Sequence, residues 1–228
     1  MARKKAKHNA GKSKTKILIV DDHPIVRQGL AQLIDQEDDL AVCGQAEGVH
    51  QALSAIKKTK PDTVIVDISL KDRSGLELIT DITARYPELA VLALSMHDES
   101  VYAERALIAG AKGYVMKAEA TENVVKAIRT VLNGGVYLSD KMSAKMMHKL
   151  VGRKAGKSGG IDCLSNRELE VFNMIGRGIG TREIAGKLCL SIKTIETYRA
   201  HIKEKLDIKD ASALLTRAVQ WVNSQSKS

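Results

Sequence analysis

The chain has 228 residues and a formal net charge of +9, with 44% hydrophobic residues but only one Phe, one Trp and five Tyr. This length exceeds that of most single domains, so we expect one or two cores, and those cores must be largely aliphatic. No apolar stretch could span a bilayer, no hydrophobic signal segment follows the basic N-terminus, and Cys43, Cys163 and Cys189 lack metal-site spacing. We therefore expect a cytoplasmic protein with no membrane partner.

Charge is distributed unevenly along the chain. Residues 1–16 carry seven basic and no acidic side chains, whereas residues 17–136 carry twelve basic and eighteen acidic ones. The segments that follow residue 136 are again net positive. Positive flanks favour a polyanionic partner through phosphate attraction and counterion release. For residues 1–15 themselves we expect a disordered basic tail that keeps the protein soluble.

Between residues 16 and 136, apolar runs of strand length alternate with segments of helical periodicity. The predicted strands cover residues 17–21, 40–45, 63–67, 90–95 and 113–116. The predicted helices cover residues 24–36, 49–59, 75–86, 100–110 and 121–133. Strict β/α alternation with short connections predicts a parallel sheet that is covered by helices on both faces.

Polar side chains stand at the ends of four of these strands. Asp21 and Asp22 follow the first strand, and Asp67 closes the third. In an open α/β sheet the carboxyl ends of the central strands meet at the ligand-binding edge. Three converging carboxylates repel one another unless a cation lies among them, and hard oxygen ligands favour Mg²⁺. The fourth and fifth strands add Ser95 and Lys117, which could hold the oxygens of a phosphoryl group on an aspartate.

A single Asp at a strand end is usually a turn or capping residue, but the four strand ends together resemble the receiver domain of response regulators. The resemblance covers residues 16–136 and implies the flavodoxin-like strand order 2-1-3-4-5. It implies that Asp67 is the phosphoacceptor and that Asp21, Asp22 and the backbone carbonyl of Ser69 help Asp67 to bind Mg²⁺. It implies that Ser95 and Tyr114 are switch residues and that Lys117 grips the phosphoryl group. The pattern departs at Lys71, where the family often has Pro, and we expect this to change the stiffness of the loop and leave the chemistry untouched.

Residues 137–163 are predicted to be a linker. Its Gly-, Ser- and Lys-rich part, 152–160, is typical of a solvated spacer, and Met142, Met146, Met147 and Leu150 allow a short amphipathic helix before it. The string Gly156-Lys157-Ser158 does not make a P-loop. The preceding Gly152 is one residue too close, and no apolar strand leads into the string.

Residues 164–228 are predicted to form a small all-helical domain. Ser165 and Glu168 have the spacing of a capping box, and apolar positions then repeat at helical spacing as far as Gly176. A short helix near 181–188, a turn at Cys189-Leu190 and a helix over 192–206 follow. Ile195, Ile202 and Leu206 share the buried face of that last helix. A helix over 210–223, with Leu214, Leu215, Ala218 and Trp221, offers a dimer contact.

This part resembles the LuxR-type helix-turn-helix, which together with a receiver defines the NarL/FixJ class. The resemblance rests on Leu-Ser-x-Arg-Glu-x-Glu-Val, Glu-Ile-Ala and Ser-x-Lys-Thr-Ile-Glu-Thr, and implies that helix 192–206 enters the major groove. Three side chains near helix starts are implied to contact phosphates: Thr181, Lys193 and Thr194. Three are implied to face base edges: Glu196, Thr197 and Ala200. Three more are implied to be flanking contacts: Arg199, His201 and Lys203.

The sequence thus predicts a DNA-binding transcription regulator of a two-component system, whose partners are a sensor histidine kinase, a two-fold DNA site and a second copy of the chain. It is not expected to be an enzyme beyond slow self-dephosphorylation. One alternative is a phosphatase with an aspartyl intermediate, but that pattern has a second Asp where Ser69 stands. The other is a signalling adaptor whose helical domain binds protein or RNA.

Overall fold

A computed structural model describes residues 14–71, 73–96, 98–151 and 160–225 of the chain. Most of the predicted tail, the linker segment 152–159 and the string Gly156-Lys157-Ser158 lie outside the described residues. No helix in the described ranges has the length and apolarity that crossing a membrane requires.

The first part of the chain folds as a five-stranded parallel sheet with the order β2-β1-β3-β4-β5, as predicted. Its strands are β1 (Thr15–Val20), β2 (Leu40–Ala46), β3 (Thr63–Asp67), β4 (Ala90–Ser95) and β5 (Gly113–Met116). The helices between and after them are α1 (Pro24–Asp35), α2 (Val49–Thr59), α3 (Gly75–Arg85), α4 (Glu99–Ile108) and α5 (Ala120–Leu132). Strand β1 starts two residues before its predicted boundary and ends at Val20, so Asp21 lies just beyond it.

The two faces of the sheet are covered by different helices because side chains alternate along each strand. In β1, Leu18 and Val20 pack with residues of α2, α3 and α4, whereas Ile17 and Ile19 pack with residues of α1 and α5. All four side chains are fully buried. Burial of an aliphatic side chain stabilises a fold by about 1.5–3 kcal/mol, so this aliphatic sheet is a rigid base for the residues at its carboxyl edge.

Gly75 brings the start of α3 against the end of β3. A Cβ atom at this position would collide with the Asp67 carbonyl oxygen and would lie 2.6 Å from the Ile68 Cα. A side chain here would therefore displace the backbone that carries Asp67.

The second part is helical, with α6 (Asp140–Val151), α7 (Asn166–Gly176), α8 (Thr181–Lys187), α9 (Ile192–Lys205) and α10 (Ala211–Gln225). The predicted capping box is present, because the Ser165 side chain accepts a hydrogen bond from the Glu168 amide and the Glu168 side chain accepts one from the Ser165 amide. Helix α10 packs against α7, where a Cβ atom on Gly176 would overlap the Ala218 carbonyl oxygen.

The packing of α10 corrects one prediction about dimer contacts. Leu214 and Ala218 are fully buried within the helical part, so they cannot form a surface for a second copy. Leu215 is 46% exposed and lies on the outer face of the helix. Trp221 is half-buried, with its ring centroid 5.6 Å from that of Phe172.

One arginine of helix α4 contacts the segment that leads into α7. Arg105 Nη1 donates to the Leu164 carbonyl oxygen at 2.8 Å and to Asn166 Oδ1 at 3.1 Å, and Nη2 donates to the Ile161 carbonyl oxygen at 3.3 Å. Beside it, a cleft of about 220 Å³ is lined from one side by side chains that include Met96, Val101 and Tyr102 and from the other by Asn173, Arg177, Trp221 and Val222.

Candidate functional sites: an acidic pocket and an exposed helix

The three predicted carboxylates meet at the carboxyl edge of the sheet. Asp21 and Asp22 follow β1, Asp67 ends the neighbouring β3, and all three are at least 93% buried. Ligand atoms of these residues and of His23 lie within 4.8 Å of one another. The parallel pairing of β1 with β3 places both strand ends at the same height, as the sequence predicted.

Lys117 closes one side of this pocket. Its Nζ lies 2.6 Å from Asp21 Oδ2 and 2.7 Å from Asp67 Oδ2. Burial raises the pKa of Asp67, and the nearby Asp21 adds to this while Lys117 opposes it. Burial disfavours the Lys117 ammonium, but Asp67 and Asp21 together hold its pKa above the usual value. The site therefore holds three carboxylates and one buried ammonium, so these four groups carry a net negative charge when the carboxylates are ionised.

The donor set of the pocket fits Mg²⁺. Carboxylate oxygens are the ligands this ion prefers, and it also keeps several of its waters. A cation among these groups would offset the repulsion between carboxylates that share a buried site. The Ser69 amide donates to Asp67 Oδ1 at 3.0 Å, and Ser69 pairs with Ser74 in a short antiparallel bridge, so Ser69 is held beside the Asp67 carboxylate.

Two further side chains lie at the rim of the pocket, and the sequence pattern assigned a role to neither. His23 Nδ1 is 3.2 Å from Asp21 Oδ1 and 3.0 Å from Asp22 Oδ1. Lys71 Nζ is 3.4 Å from Asp22 Oδ2, and 60% of its side chain is exposed. The sequence feature that could have indicated a role for Lys71 is its departure from the Pro that the family often has at this position. We had expected that departure to affect only the stiffness of the loop.

The predicted switch residues lie next to each other. Ser95, at the end of β4, is fully buried, and Tyr114 on β5 is 1% exposed. Burial raises the pKa of the Tyr114 hydroxyl, whereas a hydrogen bond between the Tyr114 and Ser95 side chains lowers it. The Tyr114 ring is thus buried, and its hydroxyl contacts the Ser95 side chain at the end of β4.

The predicted DNA-facing residues of α9 lie on its solvent-exposed side. Ile195 and Ile202 are fully buried, which turns the opposite face of the helix outward. The exposed residues of the predicted set are Lys193, Glu196, Thr197, Ala200 and His201. Partly buried at the edges of this face are Thr194, Arg199 and Lys203, and Thr181 at the start of α8 is partly buried as well.

Contacts inside the helical part hold α9 in place. The Ser191 side chain accepts a hydrogen bond from the Thr194 amide at 3.0 Å and so caps the helix. Near the other end, Lys205 Nζ lies 2.6 Å from Glu168 Oε2, and His201 Nδ1 lies 3.8 Å from Glu168 Oε1. Burial opposes ionisation of Glu168, but hydrogen bonds from Lys205 and Ser165 hold its pKa below the usual value. The charged form of Glu168 therefore joins α9 to the capping box of α7.

Comparisons with protein families cover both parts of the chain. Residues 17–129 match the family described as response regulator receiver domain. Residues 162–218 match the family described as bacterial regulatory proteins, luxR family.

Relatives match over nearly their whole length. The oxygen regulatory protein NreC of Staphylococcus carnosus is 34% identical over 210 residues, which are 90% of this chain and 97% of the relative. NreC of Staphylococcus aureus strain MRSA252 is 35% identical with the same coverage.

Among solved structures, RcsB from Salmonella enterica serovar Typhimurium bound to promoter rprA in the presence of the phosphomimetic BeF3⁻ has a TM-score of 0.60. It is 27% identical and covers 91% of this chain and 99% of its own. Another RcsB structure, from Salmonella typhimurium, has a TM-score of 0.65 at 26% identity, over 94% of this chain and 99% of its own.

Proposed function

The chain belongs to the NarL/FixJ class of response regulators, which are phosphorylation-controlled transcription regulators, and from that premise we propose that Asp67 receives a phosphoryl group from a sensor histidine kinase. The proposal rests above all on one observation: Asp67 is the buried carboxylate that shares Lys117 with Asp21 at the carboxyl edge of the sheet. We place the receiver domain at residues 16–136, the linker at 137–163 and the DNA-binding domain at 164–228.

The transfer forms a bond between an Asp67 carboxylate oxygen and phosphorus while the bond from phosphorus to the kinase histidine nitrogen breaks. The electron pair of that bond stays on the imidazole, which then takes up a proton. Lys117 is close enough to Asp67 to pair with the new phosphoryl oxygens, and Ser95 can hydrogen-bond to them. Asp21 and Asp22, with Asp67 and the Ser69 carbonyl, would hold Mg²⁺, which neutralises charge on the phosphoryl oxygens.

Phosphorylation would change the surroundings of Ser95 and Tyr114, and through them α4. Arg105 joins α4 to the start of the DNA-binding domain, so a change in α4 has a direct neighbour to act on. The result would be a shift in population toward a form in which two copies bind a two-fold DNA site. Dimers of RcsB bound to DNA are a precedent for that arrangement in a relative. Leu215 on α10 is an exposed apolar residue that a second copy could cover.

The DNA contacts that we propose are those of the exposed face of α9. Lys193 and Thr194, with Thr181 of α8, would contact phosphates, and Glu196, Thr197 and Ala200 would face base edges. Arg199, His201 and Lys203 would flank them. The exposed position of Glu196, Thr197 and Ala200 opposite the buried Ile195 and Ile202 supports this docking.

Acetyl phosphate with Mg²⁺ should phosphorylate the chain once. We expect intact-mass measurement to show one labile phosphoryl group on the wild type and none on Asp67→Ala. Equal labelling of the two proteins would rule out Asp67 as the acceptor.

The metal role of Asp22 has a separate test. Asp22→Ala should lose Mg²⁺-dependent phosphorylation and stay folded, because removal of one of three clustered anions weakens the ion site while relieving repulsion. Circular dichroism would check the fold. Undiminished phosphorylation at low millimolar Mg²⁺ would contradict this role.

A further inference from the structure

We propose that Lys71 sets the Mg²⁺ affinity of the acidic pocket by competing with the ion for Asp22. This inference rests on the proposed function, since it assumes that Asp21, Asp22 and Asp67 form the metal site. It assigns a role in metal binding to a residue that stands where the family often has Pro.

The contact between Lys71 and Asp22 is direct and joins an exposed side chain to a buried one. Lys71 Nζ lies 3.4 Å from Asp22 Oδ2, while Asp22 itself is only 7% exposed. The Lys71 side chain is 60% exposed, so it reaches in from the rim and does not belong to the core. Lys117, by contrast, is 6% exposed and contacts Asp21 and Asp67 but not Asp22 among the ion pairs described. The two lysines thus neutralise different carboxylates of one cluster.

Backbone contacts before and after Lys71 place it near the pocket. Ser69 and Ser74 form an antiparallel bridge, and Gly75 fits α3 tightly against the Asp67 carbonyl, so the backbone is held at these three residues. Lys71 follows the first of these fixed points by two residues and reaches Asp22 from there. A neutral side chain at this position would leave that Asp22 oxygen to the metal and its water.

The positive charge of Lys71 should weaken Mg²⁺ binding. A positive charge near Asp22 lowers the negative potential that attracts Mg²⁺. The ion must either displace the Lys71 ammonium or bind against its repulsion. Exposed ion pairs contribute about 0.2–1 kcal/mol, which corresponds to a change in binding constant of up to about fivefold. Removal of the Lys71 charge should therefore tighten Mg²⁺ binding. The difference should shrink as monovalent salt is added, because an exposed charge is screened.

The test is calorimetric titration of MgCl₂ into the unphosphorylated full-length chain, at one fixed pH because His23 also contacts these carboxylates. Lys71→Met should bind Mg²⁺ more tightly than the wild type, by up to about fivefold. Lys71→Arg keeps the positive charge and should bind Mg²⁺ as weakly as the wild type. Lys57→Met is the matched control, because it removes one exposed lysine charge from the last turn of α2, away from the pocket.

Each outcome decides a different point. If Lys71→Met binds Mg²⁺ with wild-type affinity, or gains no more than Lys57→Met, the role of Lys71 is wrong. The titration of Asp22→Ala separates this result from a failure of the proposed function. Loss of Mg²⁺ binding in Asp22→Ala with no effect of Lys71→Met overturns the inference alone. Wild-type binding in Asp22→Ala overturns the metal site itself.

Discussion

At the scale of single residues, Asp67 combines burial with a crowded negative environment. Its carboxylate is 99% buried and lies near Asp21, and its pKa is raised by burial even though Lys117 is within 2.7 Å. The charged form, which the proposed attack on phosphorus requires, is therefore maintained at a cost in stability. Proteins commonly tolerate such a cost where a reactive group must be held ready.

Asp67→Asn should stabilise the fold in the absence of Mg²⁺, since the amide is nearly isosteric and removes one of the clustered charges. We expect the free energy of unfolding to rise by roughly 1 kcal/mol, an ordinary size for a single substitution. Urea denaturation at neutral pH in the presence of a chelator would measure it. A clear loss of stability would mean that the Asp67–Lys117 ion pair stabilises the fold by more than burial of the charge destabilises it.

The pH dependence of that difference follows from the raised pKa. A carboxyl group whose folded pKa lies above its unfolded value, about 3.9, favours folding most when it is protonated, below the unfolded pKa. That contribution is lost as the pH rises through the folded pKa. The advantage of Asp67→Asn over the wild type should therefore be smallest in acid and grow toward neutral pH. Paired denaturation curves from pH 3.5 upward would check the trend.

The sequence predicted the residues at strand ends better than those in loops. Asp21, Asp67 and Lys117 come together because parallel strands end at a common edge, so the spacing of apolar runs was enough to predict their contact. The ion pairs of His23 and Lys71 with Asp22 depend on loop conformation, for which no periodicity exists. The side chain of Lys71 could be located only after the Ser69–Ser74 bridge was known.

At the scale of elements, α9 is oriented by its two buried isoleucines and by its ends. The Thr197 hydroxyl donates to the Lys193 carbonyl oxygen at 3.0 Å, so its proton is used within the helix. The lone pairs and the methyl group of Thr197 remain for a base edge, where the methyl group suits contact with a thymine methyl. Lys193, in the first turn of the same helix, is exposed.

Substitution of Thr197 should change sequence preference, whereas Lys193→Ala should weaken binding to all duplexes about equally. The first change is expected to alter discrimination by about 1–3 kcal/mol at one or two base positions. The second should lower the salt slope by roughly one counterion. Each variant would be titrated against the selected site and a scrambled duplex at several salt concentrations. Unchanged preference in Thr197 variants, or an unchanged slope for Lys193→Ala, would show that α9 docks in another way.

At the scale of the whole molecule, Arg105 donates hydrogen bonds to residues that lie 56 to 61 positions after it in the chain. It donates to two backbone carbonyl oxygens and to Asn166, so its loss leaves three acceptors without this partner. No sequence pattern pointed to the contact, because the surfaces on which two domains meet are not encoded by the periodicity of either one. The sequence predicted both folds and left their mutual placement open.

Arg105→Ala should loosen the contact between the two domains and leave each domain folded. We expect a larger radius of gyration in small-angle X-ray scattering, because three hydrogen bonds between α4 and the start of the helical domain are removed. Arg129→Ala is the control, since its ion pairs with Glu37 and Asp39 lie within the receiver part alone. An unchanged radius for Arg105→Ala would show that other contacts hold the domains together.

The position of Trp221 makes it an intrinsic fluorescence probe of the cleft between the domains. Trp221 is the one tryptophan in the chain, and it is half-buried in the cleft between the domains, beside Phe172 and across from Met96 and Tyr102. Indole emission moves to longer wavelength when water replaces apolar neighbours. Opening of this cleft can therefore be followed in unlabelled protein, in real time, while a phosphoryl donor or a DNA duplex is added.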